Sequence, residues 1–565
     1  MPMPGLIAVA HRLDLPSAAL LVEQQQARVL LVDPLNHARV LHHPLPEPEV
    51  YTRVDPAATR AAAIDAQARA LALSRALAPL LQRLAPGADV VPWSAHRFQQ
   101  FFWTALGYRA VWQQATAELR PEHWHVLLPR QPHRYGAHSF VPGLMLVEQL
   151  RARGLPHTAY SFDVPTLEGS QLPDLRQLPG DVELLCHLPT CFHDAEYFRQ
   201  ELLASGLRCG VLSAEVYDVA LEGLPASGLV DSAVVRGLLP PAALALLDEL
   251  AAPVCALLRA HLQPLLLNAN FLETQVQALW QALQAQGLLC LWLEQHFAGR
   301  LPRRLLLSNH DSTVHGALLS FAARHRLPVT MVPHSKVFNQ PVFNSDGLQV
   351  QCLHHGLQDG PCVDLGGRAL LAQRLAFPGA WQQEEVTAPR LATVGVVLNG
   401  LSANGVSLLN FEDYAAGLRQ LAEGCRALGL ALRWRIRMAE TPALLLAERL
   451  GVPADDLFAG AQGSLLDFGR GCDLVIGYDA PTSGLHELLG AGLAVLQAEI
   501  RPLAGDEWSI VDAGVAPRMN LVELLARLRL LAANPAYFRD FRAGQHRLVL
   551  ARQEGAQPLR HWLRH

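Results

Sequence analysis

Charge is the first thing this sequence is short of. Of its 565 residues only 17% are charged, and 46 Lys and Arg stand against 51 Asp and Glu for a formal charge of −5. A nucleic-acid partner is not expected from this balance, because such binders turn a strongly basic face to the phosphates. Long apolar runs are missing too: stretches such as Leu288–Leu293 fall far below the ~20 residues that a membrane-crossing helix needs. At the N-terminus, Met1 to Pro16 lacks the basic segment and apolar core of a secretion signal, with Arg12 and Asp14 interrupting it. The expected location is therefore cytoplasmic. A mean hydropathy of +0.15 leaves room for peripheral contact with the inner face of a membrane or with a lipid-linked acceptor.

Cysteine is sparse as well. Nine are scattered, mostly inside apolar runs where a thiol behaves as a small buried hydrophobe, which implies a reducing compartment. Cys186, Cys191 and His193 match no standard zinc spacing. No DxD-type acidic motif stands at a strand end. The reading therefore carries no metal and no cofactor other than a substrate.

What is present is alternation. A chain with 50% hydrophobic residues can bury several cores, about two to four at roughly 100–200 residues each. Short apolar strands alternate with amphipathic helices: 123–128, 141–153 and 157–162, then 182–187, 195–204 and 209–212. That rhythm implies βαβ units and parallel sheets. Residues 230–297 differ, with apolar positions at helical spacing and almost no strand signal. Another βαβ unit runs through Arg304–Ser308, a helix from Val314 and the strand Val329–Val332, and is expected to close the first sheet. Gly and Pro then cluster at Asp359-Gly360-Pro361 and Gly366-Gly367. A second alternating series begins at Ala392. The expected architecture is α/β: two Rossmann-like domains with a deep cleft, comprising an N-terminal acceptor-side domain 1–345 with the helical insertion 230–297, a linker 346–390, and a nucleotide-binding domain 391–565.

The chemistry is expected where strands hand over to helices. Tyr478-Asp479-Ala480-Pro481-Thr482-Ser483-Gly484 follows a strand and opens a helix, and free N–H groups at such a helix start attract phosphate. Thr482, Ser483 and Gly484 are thus candidate phosphate donors, and Glu487, a turn further, a candidate partner for ribose hydroxyls. The competing explanation is an ordinary N-cap before a buried helix. Asn399-Gly400 follows the first strand of the second series and would let the backbone approach a ligand closely. Arg433, Arg435 and Arg437 share one strand face, with Arg437 at its end as an anion holder or all three as a solvated face. Asn309-His310-Asp311-Ser312 offers either a base with an orienting carboxylate or a plain helix cap. Residues 129–139, with Arg130, His133, Arg134 and Tyr135, suit an acceptor loop.

The run Pro481–Leu496 resembles the donor-binding segment of GT-B glycosyltransferases: Glu487, Gly492, Val495 and Leu496 fit, while Ala494 stands where the pattern has Pro. A second resemblance is to bacterial surface-polysaccharide transferases using CMP-sialic-acid-like or CDP-activated donors. It rests on Val332-Pro333-His334-Ser335 after the strand that follows the His310 turn. Those enzymes often carry His-Pro after the second strand of the C-terminal domain, where this chain has Arg435-Ile436-Arg437-Met438-Ala439. The resemblance implies a metal-independent, inverting transfer of a sugar from a nucleotide-sugar donor to a glycan or glycoprotein hydroxyl. In it His310 or Asp311 serves as base, His334 as a further catalytic candidate, and Ser335, Gly400 and Arg437 lie on the donor. A sugar-nucleotide epimerase and a non-catalytic scaffold of the same fold stay open as alternatives.

Overall fold

The computed structural model describes residues 5–10, 14–32, 55–84, 91–129, 137–163, 171–188, 195–213, 223–266, 268–308, 313–332, 347–354, 368–376, 390–398, 411–436, 442–479, 484–500 and 515–564, with 45, 49–51, 53, 345, 364, 402–403, 406–407 and 482. They form two compact units, one made of Met1–Asp65, Trp103–Thr166 and Gly379–Arg552, the other of Ala66–Phe102, Leu167–Pro378 and Gln553–His565.

The first unit holds two parallel sheets. One consists of β1 (Leu6–Val9), β2 (Arg28–Leu31), β3 (Glu49–Val50), β4 (Trp124–Pro129) and β5 (His157–Phe162) in the order β3-β2-β1-β4-β5. Its face of Ile7, Val9, Val29, Leu31 and Leu127 buries the helix Leu15–Gln25 through Leu15, Ala18 and Leu21. The second unit is built on β7 (Leu184–His187), β8 (Cys209–Val211), β10 (Arg304–Ser308), β11 (Pro328–Val332), β12 (Gln349–His354) and β13 (Leu371–Arg374), ordered β13-β12-β11-β10-β7-β8 and parallel throughout. A small antiparallel pair, β6 (Gln171–Pro173) with β9 (Leu229–Asp231), leads into the helices Ser232–Leu238, Pro241–Glu249, Ala251–Leu262 and Ala269–His296, the expected helical insertion.

The remaining sheet of the first unit contains β14 (Thr393–Leu398), β17 (Ala431–Arg435), β18 (Leu474–Tyr478), β19 (Ala494–Glu499) and β20 (Arg518–Asn520), ordered β17-β14-β18-β19-β20. A short ribbon of β15 (Ser402–Ala403) and β16 (Val406–Ser407) follows β14. Strands β14, β18 and β19 are buried almost end to end, as a parallel sheet covered on both faces requires.

Three expectations change. The α/β class with parallel, Rossmann-like sheets holds, but the described residues form three such sheets, and residues 1–345 include strands of two of them. The stretch 346–390 is not simply a linker: it supplies β12 and β13, which extend the second sheet past β11, so β11 does not close a sheet. β13 is a four-residue edge strand ending in Gln373 and Arg374, as edges that discourage further pairing often are, and the interior β12 mixes Gln349 and Gln351 with its apolar residues, so the apolar signal of both is faint. Finally, Pro241–Leu262 has the length and mean hydropathy, 1.7, of a membrane span. It is broken into two helices at Leu250, whose inward Leu247, Val254, Leu258 and Leu262 are buried, and Asp248 and Glu249 pair with Arg236 and Arg83.

Candidate functional site

Parallel sheets bind ligands where consecutive connections leave in opposite directions, outside the strand carboxyl ends. Each of the three sheets has one such point. From β14 the chain goes to β17 on one side and then to β18 on the other, so the switch lies between β14 and β18. Residues 399–401 follow β14 and residues 479–484 follow β18, the two stretches singled out for phosphate. In the second sheet the switch lies between β7 and β10, and Asn309-His310-Asp311-Ser312 follows β10. In the N-terminal sheet it lies between β1 and β4, and residues 130–136 follow β4.

The turn after β18 is held by buried polar groups. Asp479 is 2% exposed and sits at φ +64°, the left-handed region that Asp tolerates better than most L-residues. Its N–H donates to the Ala498 carbonyl at 3.1 Å, and its carbonyl accepts from Gln497 Nε2 at 2.6 Å, while the same amide donates to Ala498 O at 3.1 Å. Gln497 lies flat over Gly477, where a Cβ would come within 2.4 Å of Gln497 Oε1. One residue earlier, at the end of β18, Tyr478 donates to the Tyr414 carbonyl at 2.8 Å and stacks edge-on against its ring at 4.9 Å. Burial first, then the neighbouring Asp479 carboxylate, holds the Tyr478 phenol protonated well above its usual range.

Beyond this bend, Thr482 is half-buried. Its carbonyl accepts from Leu485 N and its Oγ1 accepts from Gly484 N at 3.4 Å, a weak local cap for the helix Gly484–Gly490. Gly484 also has a packing reason: a Cβ there would meet Leu465 Cδ2 at 2.4 Å. Glu487 is half-buried in the first turn of that helix, next to the buried His486. Ser483 lies outside the described residues.

The strand arginines divide. Arg435 donates to the carbonyls of Gly460, Gln462 and Gly463 at 2.9–3.0 Å, and Arg433 donates to Gly471 O and covers the Phe468 ring. These two fasten the segment 460–471 to β17 through backbone carbonyls, with Arg433 exposed and Arg435 half-buried. Strand β17 ends at Arg435, and Arg437 lies outside the described residues. So do Gly400, His310, Asp311, His334 and Ser335, together with Cys191 and His193.

At the head of the second sheet the described residues are buried and polar. His187 ends β7 and donates from Nδ1 to Leu212 O at 3.0 Å; Ser308 ends β10, and His315 sits in the first turn of the helix Thr313–His325, both buried. Sequence reasoning assigned no role to Asp479, Gln497 or His187. Gln497 did carry a signal, a lone amide inside the apolar strand Ala494–Glu499, and a Tyr-Asp pair closing a strand before Pro was another.

No protein-family model matches the chain, and no curated protein sequence matches it. Solved structures similar to it include MurG of Acinetobacter baumannii, at 13% identity and a TM-score of 0.36, covering 66% of this chain and 95% of that one. The glycosyltransferase SnogD of Streptomyces nogalater is similar at 15% identity and a TM-score of 0.37, over 68% and 97%. The spinosyn rhamnosyltransferase SpnG, solved with thymidine diphosphate, is similar at 16% identity and a TM-score of 0.36, over 67% and 98%.

Proposed function

We propose that this chain is a glycosyltransferase that moves a sugar from a nucleotide-activated donor, such as a CMP-activated nonulosonic acid, to a hydroxyl of a surface glycan or glycoprotein, without a metal and with inversion. One observation carries the reading: the β14/β18 switch point coincides with the two stretches whose residues suit a phosphate. In this reading Thr482, Ser483 and Gly484 meet the donor phosphates. Thr482 accepts from Gly484 through its oxygen, which leaves the hydroxyl proton to donate to a ligand. Glu487 takes the ribose hydroxyls, and Gly400, Arg437 and Ser335 line the donor. His310 or Asp311, at the switch point of the second sheet, removes the acceptor proton, a role that typically contributes ~10² to 10⁴-fold. His334 is the alternative base.

The test is thermal denaturation of the full chain with CMP, CDP, UDP and GDP, each against its nucleoside, since a ligand bound only by the native state raises its stability. A shift with one nucleotide family, weakened in Ser483→Ala by about 1–2 kcal/mol of binding energy, is expected. No shift with any nucleotide sinks the proposal.

A further inference from the structure

The helices Leu521–Ala533 and Pro535–Gln553 follow β20, and the first is apolar on two sides. Inward, Leu524, Leu528 and Leu531 of the first and Phe538 and Val549 of the second are buried. Leu525 fills the space over Gly424, where a Cβ would come within 2.3 Å of it. The second helix is fixed to the sheet by polar bonds: Arg542 Nε donates to Gly492 O at 2.7 Å, and Gln545 donates to the Val495 and Val515 carbonyls, each at 2.7 Å. A helix covered on one side ordinarily turns polar groups outward. Here Val522 is 73% exposed and Leu530 57%; on the second helix the exposed Leu548 and Leu550 flank the buried Val549 on opposite sides, so the outward apolar stripe belongs to the first helix.

On the first helix Val522, Ala526, Arg529, Leu530 and Ala533 recur at the spacing of one outer stripe. Their companions are basic. Of the seven arginines from Arg518 to Arg552, Arg542 is buried and bonded to Gly492 O and Arg518 pairs with Glu499, which leaves the outward charge mainly to three others. Arg529, Arg539 and Arg547 are exposed. Of the two carboxylates in the same span, Glu523 closes a capping box with Asn520, and Asp540 stands outward.

We propose that this face docks on an anionic lipid surface. Val522 and Leu530 enter the headgroup layer while guanidinium groups pair with lipid phosphates, the mode of an interfacial amphipathic helix. The charge argues against a second copy of the chain as occupant. A symmetric dimer through this face would set the same patch against itself, arginine against arginine. The inference stands whether or not the chain binds a nucleotide.

The experiment is co-sedimentation of the full chain with vesicles of phosphatidylcholine alone or mixed with phosphatidylglycerol. Binding is expected only to the mixed vesicles and to weaken as salt rises. Each arginine near such a surface contributes about fivefold to partitioning, so the combined change Arg529→Gln, Arg539→Gln, Arg547→Gln should lower it on the order of 100-fold. Val522→Ser with Leu530→Ser should also lower it. These side chains are outward, so the unfolding midpoint should hold, which separates lost docking from lost folding. Absence of binding to mixed vesicles overturns the proposal, as does equal binding to both vesicle types or an undiminished triple variant. A dimer seen by light scattering and dissolved by the same substitutions, with no vesicle binding, would give the face to a protein contact and also overturn it.

Discussion

Replacing Gln497 by Leu tests whether the bend after β18 is held as the geometry indicates. The side chain is fully buried and its amide makes two bonds, to Asp479 O at 2.6 Å and Ala498 O at 3.1 Å. Ala498 O also accepts from Asp479 N–H, so the loss falls mainly on the Asp479 carbonyl. A buried acceptor deprived of its donor costs about 1–3 kcal/mol. Leu fills nearly the same volume, so little cavity term is added. The expected outcome is a loss of about 2 kcal/mol in urea unfolding, seen as a lower midpoint with an unchanged slope. Freed of this bond, the left-handed Asp479 can relax, and nucleotide affinity should fall with it. Gln497→Glu should be worse, because it turns an oxygen toward two carbonyls. If Gln497→Leu unfolds at the wild-type midpoint and binds nucleotide as well as the parent, the bend is held by something else.

Two further outcomes are expected. Gly417→Ala would place a Cβ within 2.3 Å of Tyr478 Oη, and overpacking of this kind should cost about 1–3 kcal/mol, read by chemical denaturation; an unchanged midpoint would mean that the Tyr414–Tyr478 pair yields freely. His354, at the end of β12, has its pKa pushed down to about 4 by burial and then by the Arg374 cation. The unfolded chain therefore takes up a proton between the ordinary histidine pKa and 4 that the folded chain refuses, and stability falls as pH drops through that window. Between pH 6.5 and 5 the loss is about 1.5 kcal/mol, and His354→Gln should flatten the profile; equal slopes for both proteins would refute it.

The elements that were legible from sequence are those whose signal is local. Strands His157–Phe162 and Arg304–Ser308 lie where they were expected, because a short apolar run between turns has few other ways to satisfy its backbone and bury its side chains. The helix at Gly484 was legible for the same reason. Strand β1 was missed, since Leu6–Val9 has no flanking helix pattern before it; β13 was missed as a short edge strand, and β12, an interior strand, because Gln349 and Gln351 interrupt its apolar signal.

The composition and periodicity of this chain thus determined its α/β character, its parallel strands and the points where strands hand over to helices. Tertiary structure decided the rest. That residues 399–401 and 479–484 belong to one switch point depends on β17 and β18 leaving β14 on opposite sides, a choice made between strands far apart in the chain. Whether Arg433 and Arg435 meet an anion or a carbonyl depends on Gly460, where a Cβ would lie 1.6 Å from Trp434 O. Only a glycine lets that segment close on β17, and the approach brings its carbonyls to the guanidinium groups. Such pairings arise between residues remote in sequence, and no local pattern of apolar and polar residues encodes them.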